Sequence, residues 1–186
     1  ETFDSGSVEV FGTKSIAGKS KYEKYESIAM IFQELSLIPT LTVAQNIFLT
    51  NPPRVTPIFL DLKKINQFAD DILKRLGVDI DVNETVENLS VADKQVVEIA
   101  KALGRHKKIL IMDEPTTSFT SDQMVMFFKI IKSLKDQDVS IIYISHNIGH
   151  IFKVCERVTI IRNGQKILTS TGTDMTMKTV IEGMTG

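Results

Sequence analysis

The sequence predicts an α/β fold in which short apolar strands alternate with amphipathic helices and each strand ends in polar residues. Two observations carry that prediction. Residues Ile109–Thr116 read I-L-I-M-D-E-P-T, an apolar run that delivers Asp113 and Glu114 to a sheet edge before Pro115 stops the strand. Two similar runs, Ile28–Phe32 and Ser140–Ile144, end in Gln33-Glu34 and Ser145-His146, and both read as buried parallel strands. Open parallel sheets bind ligands at the carboxyl ends of their strands, so Gln33, Asp113, Glu114 and His146 are candidate site residues by position.

The elements follow in order. Residues 5 to about 16 alternate as an exposed antiparallel β piece, and residues 28–33 form a core strand. The stretch 40–104 reads as mainly helical. A first helix covers Val43–Leu49, and Asn51-Pro52-Pro53 breaks the pattern. A second covers Leu62–Leu76, with Leu62, Ile65, Phe68, Ala69, Ile72, Leu73 and Leu76 at helical spacing and Gly77 placed to end it. Ser90 stands where an N-cap belongs, before a helix running to Leu103-Gly104. A βα alternation then gives strand 108–113, helix 121–136, strand 139–144, helix 147–154, strands 157–162 and 165–169, and a short helix near 175–184. Asn163-Gly164 between the last two strands is a hairpin signal.

Composition bounds the function. A length of 186 residues suits one domain, and 42 % hydrophobic residues can supply a core. With 22 Lys+Arg against 23 Asp+Glu, the chain has no basic footprint for nucleic acid. Cys155 is the single cysteine and reads as packed, with no disulfide framework. No apolar run approaches the ~18 residues of a membrane span, so any membrane role is expected to come through a partner. The methionines at 112, 124, 126, 175, 177 and 184 read as core or helix fillers. His146 and His150 have the i,i+4 spacing of a zinc protease, but Asn147 stands where its glutamate would be. His150 is therefore read as a partly exposed helix residue.

This ordered set of motifs resembles the ATPase subunit of ABC transporters. The likeness is closest to the amino-terminal half of monosaccharide-importer ATPases of the ribose, galactose or xylose type. It covers about Ser5 to Thr185. Gln33 falls at the Q-loop, Leu89–Gln95 at the signature motif, and Asp113-Glu114 at Walker B. Ser118-Phe119-Thr120 falls at the D-loop and His146 at the switch histidine. The run from Gln33 to Val43 is close to the Q-loop wording of monosaccharide importers.

The resemblance implies a P-loop NTPase, RecA-like parallel-sheet core with an inserted α-helical subdomain and a partial antiparallel β piece. It divides the chain into 1–39 (β piece, core strand and Q-loop), 40–104 (helical subdomain with the signature) and 105–186 (Walker B to the switch histidine and the C-terminal elements). It implies ATP and Mg²⁺ as cofactors. Asp113 and Gln33 would serve the metal, and Glu114 would act as general base with His146 and Gln33 beside it. Ser90, Val91, Ala92, Asp93, Ser118 and Thr120 would face nucleotide, the first four that of an opposite subunit. The implied partners are transmembrane permease subunits and a second ATPase domain, as a tandem half or a homodimer. The implied location is cytoplasmic, peripheral on the inner face of the cell membrane.

The sequence departs from the family pattern in three places. Val91 and Ala92 replace both glycines of the usual L-S-G-G-Q, and Thr120 replaces the common aspartate. Ala17-Gly18-Lys19-Ser20 looks like the tail of a Walker A loop, G-x-x-x-x-G-K-[ST], but Thr13 stands where its first glycine belongs. Lys19 is therefore read as a loop lysine, and the chain as a fragment that begins downstream of its own phosphate loop, inactive alone. Losing a central strand and helix would remove several buried apolar side chains at ~1.5–3 kcal/mol each, so the fragment alone is expected to be marginal, oligomeric or dependent on a complementing piece. Two other readings stay open: a non-transport ABC ATPase, and a catalytically silent ABC-like interaction module. Between Gln33 and Ser90 there is no room for the long coiled-coil insertion that the first would carry.

Overall fold

A computed structural model describes residues 5–16 and 27–185. The Ala17–Ser20 run, and with it the reading of Lys19, lies outside the described residues. Strands β1 (Ser7–Val10) and β2 (Thr13–Ile16) pair antiparallel around Phe11-Gly12, as the alternating pattern predicts. Strands β3 (Ile28–Ile31), β4 (Ile109–Asp113) and β5 (Ser140–Ile144) form a parallel sheet in the order β3-β4-β5. Strands β6 (Arg157–Arg162) and β7 (Gln165–Thr171) make a hairpin, with Asn163 and Gly164 both at positive φ (52° and 75°) as a tight twisted turn requires.

Helices α1 (Val43–Ile47), α2 (Leu62–Leu76) and α3 (Val91–Gly104) pack on one another between β3 and β4 in the chain. Each start has a local cause. The hydroxyls of Thr42 and Ser90 and the carboxylate of Asp61 each accept an amide N–H of the first turn. Gly77, at φ 75°, closes α2. Ile65, Ala69, Ile72, Leu73 and Leu76 of α2 are buried, whereas Leu62 and Phe68 remain exposed. The Phe68 ring lies 6.3 Å from that of Phe48, at the margin of a groove. Helices α4 (Ser121–Asp136), α5 (Ile148–Val154) and α6 (Met177–Thr185) complete the chain. A second small core joins Ile151, Val158, Ile160 and Val180, with Cys155 packed against it and its thiol pKa raised by burial.

One expectation needs correction. Ser140–Ile144 is not buried on both faces: Ile142 is 52 % and Ile144 45 % exposed. Met30 and Phe32 are likewise exposed, and Met30, Ile111 and Ile142 share one row of the sheet. The opposite face carries Ile31, Leu110 and Met112, all buried under α3 and α4. An apolar run signals a strand built for two covers, and among the described residues only one face has its cover.

The link from β3 to α1 depends on Asn46, which is fully buried. Its amide oxygen accepts Ile38 N–H at 2.8 Å, and its NH₂ donates to the carbonyls of Ile38, Leu41 and Thr42 at 3.0–3.3 Å. Every polar atom of the side chain is thereby bonded to the backbone of the segment 38–42. Asn46→Ala is expected to destabilise the chain by about 2–4 kcal/mol, because it leaves the Ile38 N–H without its acceptor, deletes the side chain's bonds to three carbonyls and empties a fully buried site. Chemical denaturation of both proteins checks this, and a change under ~1 kcal/mol would mean that water substitutes freely.

Candidate active site

Pairing of β4 with β5 sets Asp113 opposite Ile144, so the residues that follow the two strands emerge side by side. Glu114 adopts φ +46°, a left-handed backbone that costs of order 1–3 kcal/mol for a residue bearing a side chain. Its own N–H donates to the Ile144 carbonyl at 3.0 Å, which pins the bend. The bend brings the carboxylate to the end of β5. There Oε1 accepts the His146 backbone N–H at 2.9 Å and its Nδ1 at 2.6 Å, while Ser145 Oγ donates to Oε2 at 3.3 Å. The Glu114 side chain is 21 % exposed and that of His146 78 %. With Nδ1 donating to Glu114, Nε2 is the ring atom left for a ligand.

These groups line a cleft of about 350 Å³ together with Thr116, Asn147 and His150. Thr116 is buried, with Oγ1 3.1 Å from the Tyr143 hydroxyl and 3.4 Å from His150 Nδ1. Burial, and then the charge of Lys153, hold His150 below its ordinary value of 6.5. Burial likewise pushes the Tyr143 phenol up. Asn147 caps α5, its Oδ1 accepting His150 N–H at 3.2 Å. Thr116, Tyr143, Ser145 and His150 were not legible as site residues. The i,i+4 spacing of the two histidines was the one available signal, and it says nothing about Thr116.

The remaining candidates fall in three places. Gln33 is exposed just beyond β3, which pairs with β4 on the side away from β5, so it shares the carboxyl edge with Asp113. Ser90 caps α3, accepting Asp93 N–H at 3.1 Å and donating to Asp93 Oδ2 at 2.7 Å. Val91 is 52 % exposed, but Ala92 is turned into the core at 1 %. None of Ser90, Val91, Ala92 and Asp93 lines the cleft at Glu114. Ser118 is exposed, and Thr120 is the N-cap of α4 in a reciprocal capping box with Gln123. Phe119 stands edge-on to Phe127 at 5.6 Å, a packing role, and also borders the cleft.

The donor set suits a hard cation. Mg²⁺ takes one or two protein oxygens and completes its shell with water and phosphate oxygens, and Asp113 and Gln33 offer that chemistry at one sheet edge.

The family described as ABC transporter matches residues 1–117. The chain belongs to the ABC transporter family. It is 38 % identical over 98 % of its length to the ribose import ATP-binding protein RbsA of Geobacillus kaustophilus, covering 37 % of that protein. It is 45 % identical over 86 % of its length to a putative ribose/galactose/methyl galactoside import ATP-binding protein of Agrobacterium fabrum, covering 31 % of it. The chain thus spans about a third of the length of these curated relatives. Among solved structures, CbiO1 of Clostridium perfringens matches at TM-score 0.66 and 27 % identity, over 78 % of this chain and 57 % of that one. A nucleotide-free ATP-binding cassette from an ABC transporter matches in fold at TM-score 0.76 and 21 % identity, over all of this chain and 79 % of that one. The ABC ATPase fold places β3, β4 and β5 in the parallel core of a P-loop NTPase. Among the described residues no helix is long and apolar enough to cross a membrane.

The depressed His150 makes a pH prediction for this ABC domain. Below its ordinary value the unfolded chain takes up a proton that the folded chain refuses, so stability falls as pH falls. The contribution of neutral His150 is complete above about pH 6.5 and is lost as pH drops through the lower folded value. His150→Gln is expected to flatten the slope of unfolding free energy just below pH 6.5, measured by urea titration. An unchanged slope would assign that dependence to another group.

Proposed function

We propose that the protein carrying this chain is the ATP-binding and hydrolysing subunit of an ABC-type sugar import system. The observation that carries the reading is the Glu114 carboxylate, held on both oxygens by Ser145 and His146 one residue beyond Asp113. The names of the relatives, ribose and ribose/galactose/methyl galactoside import ATP-binding proteins, support sugar import as the coupled process. In this reading the partners are transmembrane permease subunits and a second ATPase domain, and the protein sits peripherally on the cytoplasmic face. A cassette with similar fold was solved as a dimer bound to ADP and Pi, which supports the two-domain arrangement.

The chemistry assigned to this chain is in-line attack of water on the γ-phosphorus of ATP. Glu114 accepts the proton of that water, and the bond from γ-phosphorus to the bridging oxygen breaks to release ADP. His146 fixes the carboxylate through Nδ1 and its backbone N–H, and offers Nε2 to the γ-phosphate. Asp113 and Gln33 would hold Mg²⁺, which neutralises phosphate charge when bound. Ser90, with Val91, Ala92 and Asp93, is assigned to the γ-phosphate held by the opposite subunit through the amides that open α3. Since Ala92 is buried, only its backbone can serve there. Ser118 and Thr120 are assigned to the D-loop beside that site.

Glu114→Gln keeps the size of the side chain and removes the base. In the full-length protein it is expected to lower steady-state ATP turnover by at least ~100-fold while leaving ATP affinity within about threefold. Turnover near the wild-type rate would remove Glu114 from the base role. Comparable loss of both turnover and affinity would mean that it binds nucleotide instead.

A further inference from the structure

A buried polar cluster outside the cleft holds the segment that carries Gln33. Ser36 lies three residues beyond Gln33, on the exposed segment that leaves β3. Beneath it, α3 presents Glu98 and Lys101 one turn apart, 7 % and 8 % exposed. Glu98 Oε1 accepts the Ser36 N–H at 2.6 Å and the Ser36 hydroxyl at 2.8 Å. Lys101 Nζ donates to the Ser36 carbonyl at 3.0 Å and to its hydroxyl at 2.9 Å, and lies 3.7 Å from Glu98 Oε2. One residue of the loop is therefore gripped at its N–H, its C=O and its side chain by a buried ion pair. The second anchor of the same segment, Asn46 on Ile38, belongs to α1.

A buried ion pair is an expensive way to fill space. Removing two charges from water offsets most of their attraction, and apolar residues of equal volume would stabilise the fold as well or better. What the pair adds is direction: a carboxylate and an ammonium, both mounted on one rigid helix, fix the orientation of a single peptide unit. That helix begins at Ser90 and runs without a break past Glu98 and Lys101.

We propose that Glu98 and Lys101 are positioning residues that clamp Ser36, so that the Gln33 loop and the helix opening at Ser90 move as one body. The inference rests on the nucleotide-site reading for Gln33 and Ser90, but the clamp itself can be tested apart from it. Its effect on turnover runs through Gln33, and neither side chain touches the cleft at Glu114.

The test uses the full-length protein and the paired variant Glu98→Leu/Lys101→Met, which removes both charges together and so leaves no orphaned buried ion. Amide hydrogen exchange at Ser36 should accelerate by about tenfold or more, the consequence of losing a hydrogen bond of ordinary-to-good strength, while the amides of β4 keep their protection. The kcat for ATP should fall about fivefold or more with KM within about twofold. In a Gln33→Ala background the paired change should cause no further loss, because the route through Gln33 is already cut. Unchanged exchange at Ser36 would overturn the clamp. Losses that add fully to those of Gln33→Ala would overturn its action through Gln33 and leave a packing role. A wild-type protein with no ATPase activity would instead defeat the proposed function, and the exchange result would still decide the clamp.

Discussion

The site depends on one pairing, that of β4 beside β5 in parallel register. Asp113 opposite Ile144 brings two chain ends to the same edge, and only then can Glu114 reach His146. The left-handed Glu114 is the local consequence. A residue with extended backbone there would carry its carboxylate onward with the strand, whereas the bend returns it across the edge. The N–H of Glu114 on the Ile144 carbonyl ties the strained residue to the strand that supplies its partner, so strain and recognition rest on the same contact.

Around that edge, buried polar groups do work that apolar packing cannot. Asn46 and the Glu98–Lys101 pair both reach into the segment after β3, and each satisfies backbone groups at Ile38 or Ser36. Such networks are favourable only when each member has its partner, and the partners here are largely main-chain atoms. The result is a loop whose surface residues, Gln33 among them, are exposed while its backbone is held from below. The tight polar attachment of an exposed, site-facing loop to two different helices distinguishes it from the apolar cores of α2 and α4.

The sheet has the opposite character on its other side. Met30, Phe32, Ile142 and Ile144 are apolar and exposed, while one layer away Leu110 and Met112 are fully enclosed. The same strands therefore meet two environments. Residue type alone did not separate them, because both faces are written in Ile, Met and Phe. The expected continuous burial of Ser140–Ile144 failed for that reason: a two-sided apolar strand states what it can accept, and the neighbours decide what it receives.

Local chemistry made much of the chain legible in advance. Ser90 accepts the amide three residues ahead, Gly77 and Asn163-Gly164 take positive φ, and the apolar spacing of α2 marks most of its buried face. These are interactions over one turn, so the order of residues contains them completely. The strand ends that carry Gln33, Asp113 and His146 were legible for the same reason, as polar residues at the close of apolar runs. Contacts between distant segments were not. That Glu114 bonds His146, that Thr116 sits between Tyr143 and His150, and that Glu98 and Lys101 grip Ser36 required three strands and a helix to be placed together. Ala92 makes the distinction within one motif. Its small size was plain from the sequence, but its burial in the core came from the rotation of α3 against β3, which only the packed structure decides.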